Sequence, residues 1–108
     1  QYNWDAVHEG MYQVANHPDG SGYATFRDYT ASSVACKTGT AQKGENITND
    51  GIFICYAPVE DPQIAVAVVI ERGGSGSRCA KVGRDILEAY FNFKTATDVT
   101  EIEGRLLK

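Results

Sequence analysis

Residues 37–40 read Lys-Thr-Gly-Thr and combine one positive charge, two hydroxyl groups and one residue without a side chain. They lie within residues 33–42, where short and β-branched side chains predict a β-strand. A lysine and a glycine suit the interior of a sheet poorly, because the charge resists burial and glycine offers nothing to pack. Both suit an edge strand that a second backbone can approach. We therefore expect residues 37–40 to lie on an edge strand.

Two interpretations of this edge are open on the residues alone. In the first, an extended peptide adds to the sheet as a further strand, and Gly39 leaves room for its backbone. Lys37 then supplies charge, while Thr38 and Thr40 supply hydroxyl donors that recognise a carboxylate. In the second, the lysine only deters aggregation through an exposed edge. The tripeptide Lys-Thr-Gly taken alone favours the second interpretation, because so short a motif also occurs by chance.

Hydrophobic periodicity predicts a helix at each end of the chain. The first is expected to begin at an Asn3 cap and to end before Pro18, and its apolar stripe consists of Trp4, Val7, Met11 and Val14. The apolar stripe of the second consists of Val82, Ile86, Tyr90 and Phe93. Residues 17–32 are predicted to be irregular. The glycine-rich run 72–77 is expected to be a plain connection, and anion binding there is the less favoured alternative.

Two further strands are predicted over residues 52–57 and 63–71, and the short turn between them makes them antiparallel. Residues 64–70 are apolar throughout, which predicts an interior strand that is covered on both faces. The chain supplies only one sequential neighbour for this strand, so a partner strand is expected to be missing. The predicted fold class is α+β, with a three-stranded, incomplete antiparallel sheet packed against N- and C-terminal helices.

Composition limits the classes of function. A chain of 108 residues forms one domain, for which we expect a body over residues 1–93 and a polar tail over 94–108. A formal charge of −4 argues against non-specific nucleic-acid binding, which needs a basic face. Three cysteines without ligand spacing argue against zinc, and we expect neither a metal nor a cofactor. The cysteines are expected in the core, and a Cys36 thiol mildly activated by Lys37 is the less favoured alternative.

The wider context of the motif resembles the C-terminal part of class B penicillin-binding proteins, the peptidoglycan D,D-transpeptidases of bacterial cell-wall synthesis. The elongation-type branch is the closer likeness. Five segments carry the resemblance in the family's order and spacing: 7–14 (VHEGMYQV), 34–42 (VACKTGTAQ), 53–58 (FICYAP), 62–71 (PQIAVAVVIE) and 85–91 (DILEAYF). The family's active site has three motifs, Ser-x-x-Lys with the nucleophile, Ser-x-Asn and Lys-Thr-Gly, and only the third occurs in this chain.

This resemblance implies roles for the motif residues within a fragment of the β-lactamase/transpeptidase-like fold. Lys37 is expected to stabilise negative charge on the substrate and to help the Ser-x-Asn serine pass a proton to the leaving group. Thr38 and Thr40 are expected to bind the terminal carboxylate of a D-Ala-D-Ala stem peptide or of a β-lactam. The backbone N–H of Thr40, which follows Gly39, is expected to be one of two oxyanion-hole donors. The parent is expected to be a serine-type enzyme, whereas the isolated chain lacks the nucleophile.

The resemblance also implies partners and a location. The expected partners are the stem peptide, β-lactams and the remainder of the transpeptidase domain, with no nucleic acid. The parent is expected to be anchored in the bacterial cytoplasmic membrane with this domain on the outer side, and the chain itself is expected to be soluble. Two alternatives stay open: a fragment of a β-lactam sensor or serine β-lactamase, and a non-catalytic assembly module that associates, also with itself, through its unpaired strand edge.

Overall fold

The structure, a computed structural model, describes residues 2–106 and consists of three helices and three strands in that range. In chain order these elements are α1 (Tyr2–Asn16), α2 (Tyr23–Phe26), β1 (Ala35–Ala41), β2 (Asp50–Ala57), β3 (Ile64–Ile70) and α3 (Gly76–Leu106). This order confirms the predicted α+β class. None of the described helices is sufficiently long and apolar to span a membrane.

The three strands form one antiparallel sheet in the order β1-β2-β3. Among the described residues β1 therefore has a neighbouring strand on one side only, which confirms the prediction that residues 37–40 lie on an edge strand. The register pairs Lys37 with Ile54, Thr38 with Phe53 and Thr40 with Gly51. Because side chains alternate along a strand, Lys37 projects to one face of the sheet and the two threonines to the other.

The face that carries the threonines also carries the core. Phe53, Cys79 and Leu87 are fully buried between β2 and α3, and Phe26 stacks on Phe53 with ring centroids 6.0 Å apart. The opposite face is open over much of its area, since Ile54 is exposed next to Lys37. The sheet thus presents one packed face and one open face, and β1 lies at the margin of both.

The prediction that residues 64–70 form an interior strand is wrong for the residues the structure describes. Strand β3 pairs only with β2, and its open-face residues Ala65, Ala67 and Val69 are exposed, Val69 by 68%. An apolar sequence indicates that both faces of a strand are suited to burial, but the described part of the chain covers only one face of β3. The missing partner strand remains a prediction.

The helix boundaries and faces also differ from the prediction. Helix α1 begins at Tyr2, so Asn3 lies inside it and does not cap it. Trp4 and Val7 of its predicted apolar stripe are 66% and 52% exposed. The buried contact with the rest of the fold lies in the C-terminal half of the helix, where Ala15 is buried and Asn16 Nδ2 donates to Val34 O at 2.9 Å. In the first half, His8 contacts the Tyr56 ring of β2, with ring centroids 5.8 Å apart.

Helix α3 contacts the sheet mainly through small residues, which is why its predicted apolar stripe is wrong. Val82, Ile86 and Phe93 are exposed, and Tyr90 is half-buried. The buried face consists of Cys79, Ala80, Gly83 and Leu87. A Cβ on Gly83 would lie only 2.4 Å from Cε2 of Phe53, so glycine is what permits this close approach. The helix also continues through the predicted polar tail to Leu106.

Residues 17–32 are irregular, as predicted, apart from the single turn α2. The guanidinium group of Arg84, on α3, holds this segment in place. Arg84 Nη1 donates to Thr25 O at 2.6 Å and to Asp28 Oδ1 at 2.5 Å, and the guanidinium lies 5.4 Å from the centre of the Tyr29 ring. The segment that follows α1 is thereby attached to the C-terminal helix.

We expect Asp28→Asn to lower the free energy of unfolding at pH 7, with a difference from wild type that shrinks as the pH falls below about 4. The hydrogen bond and charge of Arg84 lower the pKa of the Asp28 carboxyl in the folded chain. A carboxyl with a lowered folded pKa stabilises the fold above its unfolded pKa of about 3.9, and this stabilisation is lost as the pH falls through the folded pKa.

Urea unfolding of wild type and variant at pH 7 and pH 3 measures this difference. Asp85→Asn, an equivalent substitution on the exposed surface of α3, is the matched control. A stability difference between wild type and Asp28→Asn that persists unchanged at pH 3 would contradict an electrostatic origin.

Candidate functional site

The four motif residues are consecutive on β1 and follow the buried start of the strand. Ala35 at the start of the strand is fully buried, whereas Lys37 and Thr40 are exposed. Lys37 Nζ donates to Thr38 O at 2.5 Å, and among the described residues it forms no ion pair. Lys43, which follows the same strand, instead pairs with Asp50 at 3.1 Å. The ammonium group of Lys37 is therefore a charge at the sheet margin without a described counter-ion.

Both threonine hydroxyl groups have partners from outside the strand. Thr38 Oγ1 and Ser21 Oγ are 2.7 Å apart, and either atom can be the donor. Thr40 Oγ1 accepts a hydrogen bond from the backbone N–H of Gly76, with a distance of 3.4 Å between N and Oγ1. Ser21 belongs to the segment after α1, and Gly76 begins α3, so two distant parts of the chain meet the motif.

Neither Ser21 nor Gly76 is predicted from the sequence to be part of the site. They are 17 and 36 positions away from the threonines they contact, so no local spacing links them to the motif. The only signal in the sequence is the glycine-rich composition of the run 72–77, which predicts a plain connection or, as the less favoured alternative, an anion site.

The glycine-rich connection is a defined turn and does not offer a set of free amides. Gly73 N donates to Ile70 O at 3.0 Å, Gly74 N to Asn49 O at 2.9 Å, and Arg78 N to Ser75 O at 3.1 Å. Gly74 has a φ of 86°, which glycine adopts without strain. Because these N–H groups are already bonded, the anion-binding alternative has no support here.

Gly39 is not required by the packing of the described residues. A Cβ at this position would lie 3.5 Å from Cβ of Ile52, which is an ordinary van der Waals contact. The absence of a side chain at Gly39 therefore leaves space on the open face of the sheet without serving the fold itself.

The three cysteines are buried, as predicted, and Cys36 and Cys55 lie opposite each other on β1 and β2. Desolvation by burial raises the pKa of the Cys36 thiol to about 12 and that of Cys55 to about 11. The nearby charge of Lys37 lowers the pKa of Cys36, but burial outweighs it. The alternative of an activated Cys36 thiol is therefore wrong.

Comparison with known proteins identifies the family. The family model of the penicillin binding protein transpeptidase domain matches residues 1–88, and the chain belongs to this family. The chain is 31% identical over 110 residues to the peptidoglycan D,D-transpeptidase MrdA of Escherichia coli (strain K12), an alignment that covers 89% of the chain. The resemblance to elongation-type class B penicillin-binding proteins is confirmed.

Solved structures support the same conclusion for the fold. The chain matches Pseudomonas aeruginosa PBP2, solved in complex with WCK 5153, with a TM-score of 0.73 and 38% identity over 82% of the chain. It matches PBP2 of Helicobacter pylori, solved in complex with MreC, with a TM-score of 0.67 and 32% identity over 75% of the chain. The fold is thus a fragment of the penicillin-binding protein transpeptidase fold.

The chain spans only a small part of the proteins it matches. The alignments cover 17% of the Escherichia coli protein, 19% of the Pseudomonas aeruginosa chain and 16% of the Helicobacter pylori chain. The family match ends at residue 88, while the boundary expected from the sequence after residue 93 remains a prediction.

Proposed function

We propose that this chain contributes the Lys-Thr-Gly edge strand to a peptidoglycan D,D-transpeptidase that cross-links stem peptides through a serine acyl-enzyme and binds penicillin. The observation that carries the proposal is the position of residues 37–40 on a strand whose outer edge has no partner among the described residues. Membership of the penicillin-binding transpeptidase family supports it. The nucleophilic serine belongs to a part of the parent protein outside this chain.

In this proposal the exposed ammonium group of Lys37 attracts the carboxylate-ended substrate and stabilises negative charge that develops during acyl transfer. It also helps the serine of the parent's Ser-x-Asn motif to deliver a proton to the leaving group. The lack of a described counter-ion supports this role, because a paired ammonium would first have to break its ion pair.

Thr38 and Thr40 bind the terminal carboxylate of a D-Ala-D-Ala stem peptide or of a β-lactam through their hydroxyl groups. Ser21 and Gly76 hold these hydroxyl groups in defined orientations. The backbone N–H of Thr40 points away from β2 in this proposal and is one of two donors to the oxyanion of the tetrahedral intermediate, the other being the N–H of the serine nucleophile.

The parent protein is proposed to be anchored in the bacterial cytoplasmic membrane, with this domain on its outer side. Its partners in this proposal are the stem peptide, β-lactams and the remainder of the transpeptidase domain. That remainder covers the open face of the sheet around Ile54 and Val69, whose exposure in the described chain supports this arrangement.

Competition with a fluorescent penicillin tests carboxylate recognition in the parent protein. A peptide that ends in D-Ala-D-Ala with a free carboxylate is expected to slow labelling, and the same peptide with a C-terminal amide is expected not to. The amide has the same shape but offers no charge to Lys37, Thr38 and Thr40. Equal competition by the two peptides would contradict the proposed mode of binding.

The rate of deacylation separates this proposal from the β-lactamase alternative, and the cross-linking of stem peptides separates it from the sensor alternative. A transpeptidase and a sensor hold the penicilloyl group, whereas a β-lactamase releases it rapidly, and only a transpeptidase joins two stem peptides. Sedimentation of the isolated chain tests the assembly alternative, because pairing through a free strand edge would produce a dimer or larger species.

A further inference from the structure

We infer that Gly76 is a positioning residue for the Lys-Thr-Gly strand, because its lack of a side chain lets the first turn of α3 rest on the backbone of Gly39 and Ile52. This inference rests on the proposed function and adds a residue to it that lies in none of the three family motifs. Gly76 is not a catalytic residue, since it acts through the strand that it supports.

The first support for this inference is steric. A Cβ on Gly76 would lie 2.5 Å from both N and O of Gly39 and 2.4 Å from O of Ile52. All three are backbone atoms of the β1–β2 pair, so no side-chain rotation can relieve the contact. Any larger residue must therefore push β1 and β2 away from α3 at the position of the motif.

The need for glycine at this position comes from proximity and not from backbone conformation. The φ angle of Gly76 lies outside the left-handed region, unlike that of Gly74. Strand β2 also approaches α3 closely at a glycine, because a Cβ on Gly51 would lie 2.5 Å from Sγ of Cys79 and 2.9 Å from O of Ser75. Gly51 is the cross-strand partner of Thr40. The start of α3 thus approaches both strands closely because a glycine lies on each side of the contact, Gly76 on α3 and Gly51 on β2.

The second support is the hydrogen bond from Gly76 N to Thr40 Oγ1. It joins the start of α3 to the residue whose backbone N–H is the proposed oxyanion donor and whose hydroxyl is a proposed carboxylate ligand. A shift of β1 away from α3 would lengthen this bond and move both groups of Thr40 together.

The expected consequence is a loss of rate more than of affinity. Displacement of a reacting or stabilising group by about 1 Å can cost about 100-fold, so Gly76→Ala is expected to lower the rate constant for acylation by penicillin about 10- to 100-fold. The dissociation constant of the preceding non-covalent complex is expected to change much less, because Lys37 still supplies its charge.

The experiment uses the full-length parent protein and measures acylation at saturating and at low penicillin, with thermal unfolding of each variant. Gly83→Ala is the matched control, since its Cβ would also clash, at 2.4 Å, but with the Phe53 ring and not with β1. Gly10→Ala is the neutral control, because nothing lies within 4 Å of its Cβ. We expect Gly83→Ala to lose stability but keep its acylation rate constant per folded molecule.

If Gly76→Ala does not fold, Gly51→Ala tests the same junction. Its Cβ would lie 2.5 Å from Sγ of Cys79, a side chain that can move and partly relieve the clash. This variant is expected to show the same selective loss of acylation rate. Acylation of the tested variant at the wild-type rate per folded molecule would overturn the inference. A wild-type parent that penicillin does not acylate would instead overturn the proposed function, so the two failures are distinguishable.

Discussion

Replacement of Lys37 by alanine in the parent protein is expected to slow acylation by penicillin by about 100-fold to 10 000-fold, the range that positioned proton-transfer groups contribute to catalysis. The side chain is exposed at the margin of the sheet, and none of the described carboxylates pairs with it. The substitution thus removes a charge from the proposed site without leaving a described counter-ion unpaired. Stopped-flow measurement of acyl-enzyme formation checks the expected result.

Two further variants distinguish loss of charge from loss of packing. Lys37→Met keeps most of the alkyl stem and is expected to be as slow as Lys37→Ala, because the ammonium group is what acts. Lys81→Ala removes the same charge from the exposed surface of α3 and is expected to acylate at the wild-type rate. An unchanged rate in Lys37→Ala would remove Lys37 from the mechanism.

The isolated chain of 108 residues is expected to acquire no covalent adduct from a fluorescent penicillin. Its sequence contains neither a Ser-x-x-Lys nor a Ser-x-Asn motif, so it lacks the motif that holds the family's activated serine. The buried cysteines do not substitute for one, because burial raises the pKa of Cys36 to about 12 and keeps its thiol protonated.

Intact mass after incubation with penicillin measures this result, and the parent protein under the same conditions is the positive control. The parent is expected to gain the mass of one penicilloyl group, while the isolated chain keeps its own mass. A stoichiometric adduct on the isolated chain would contradict the expectation and would require a nucleophile among its own residues.

The sequence was sufficient to predict the edge-strand position of the Lys-Thr-Gly motif and the order of the helices and strands. Residues 37–40 combine charge, hydroxyl groups and a missing side chain in an order that identifies the motif and, with its neighbouring segments, the family. The short connection at residues 58–63 required β2 and β3 to be antiparallel. These features are local, because residue type and spacing along the chain decide them before any packing occurs.

Packing decided the rest, because it depends on contacts between residues that are distant in the chain. The buried face of α3 is made mostly of small residues, among which Gly83 lets the helix approach Phe53 closely. Hydrophobic periodicity does not indicate where two elements can approach closely. In the same way, the contacts of Ser21 with Thr38 and of Gly76 with Thr40 exist only once three segments meet at β1. Strand β3 shows the reverse case, since its apolar sequence suits two covered faces and the described chain covers one.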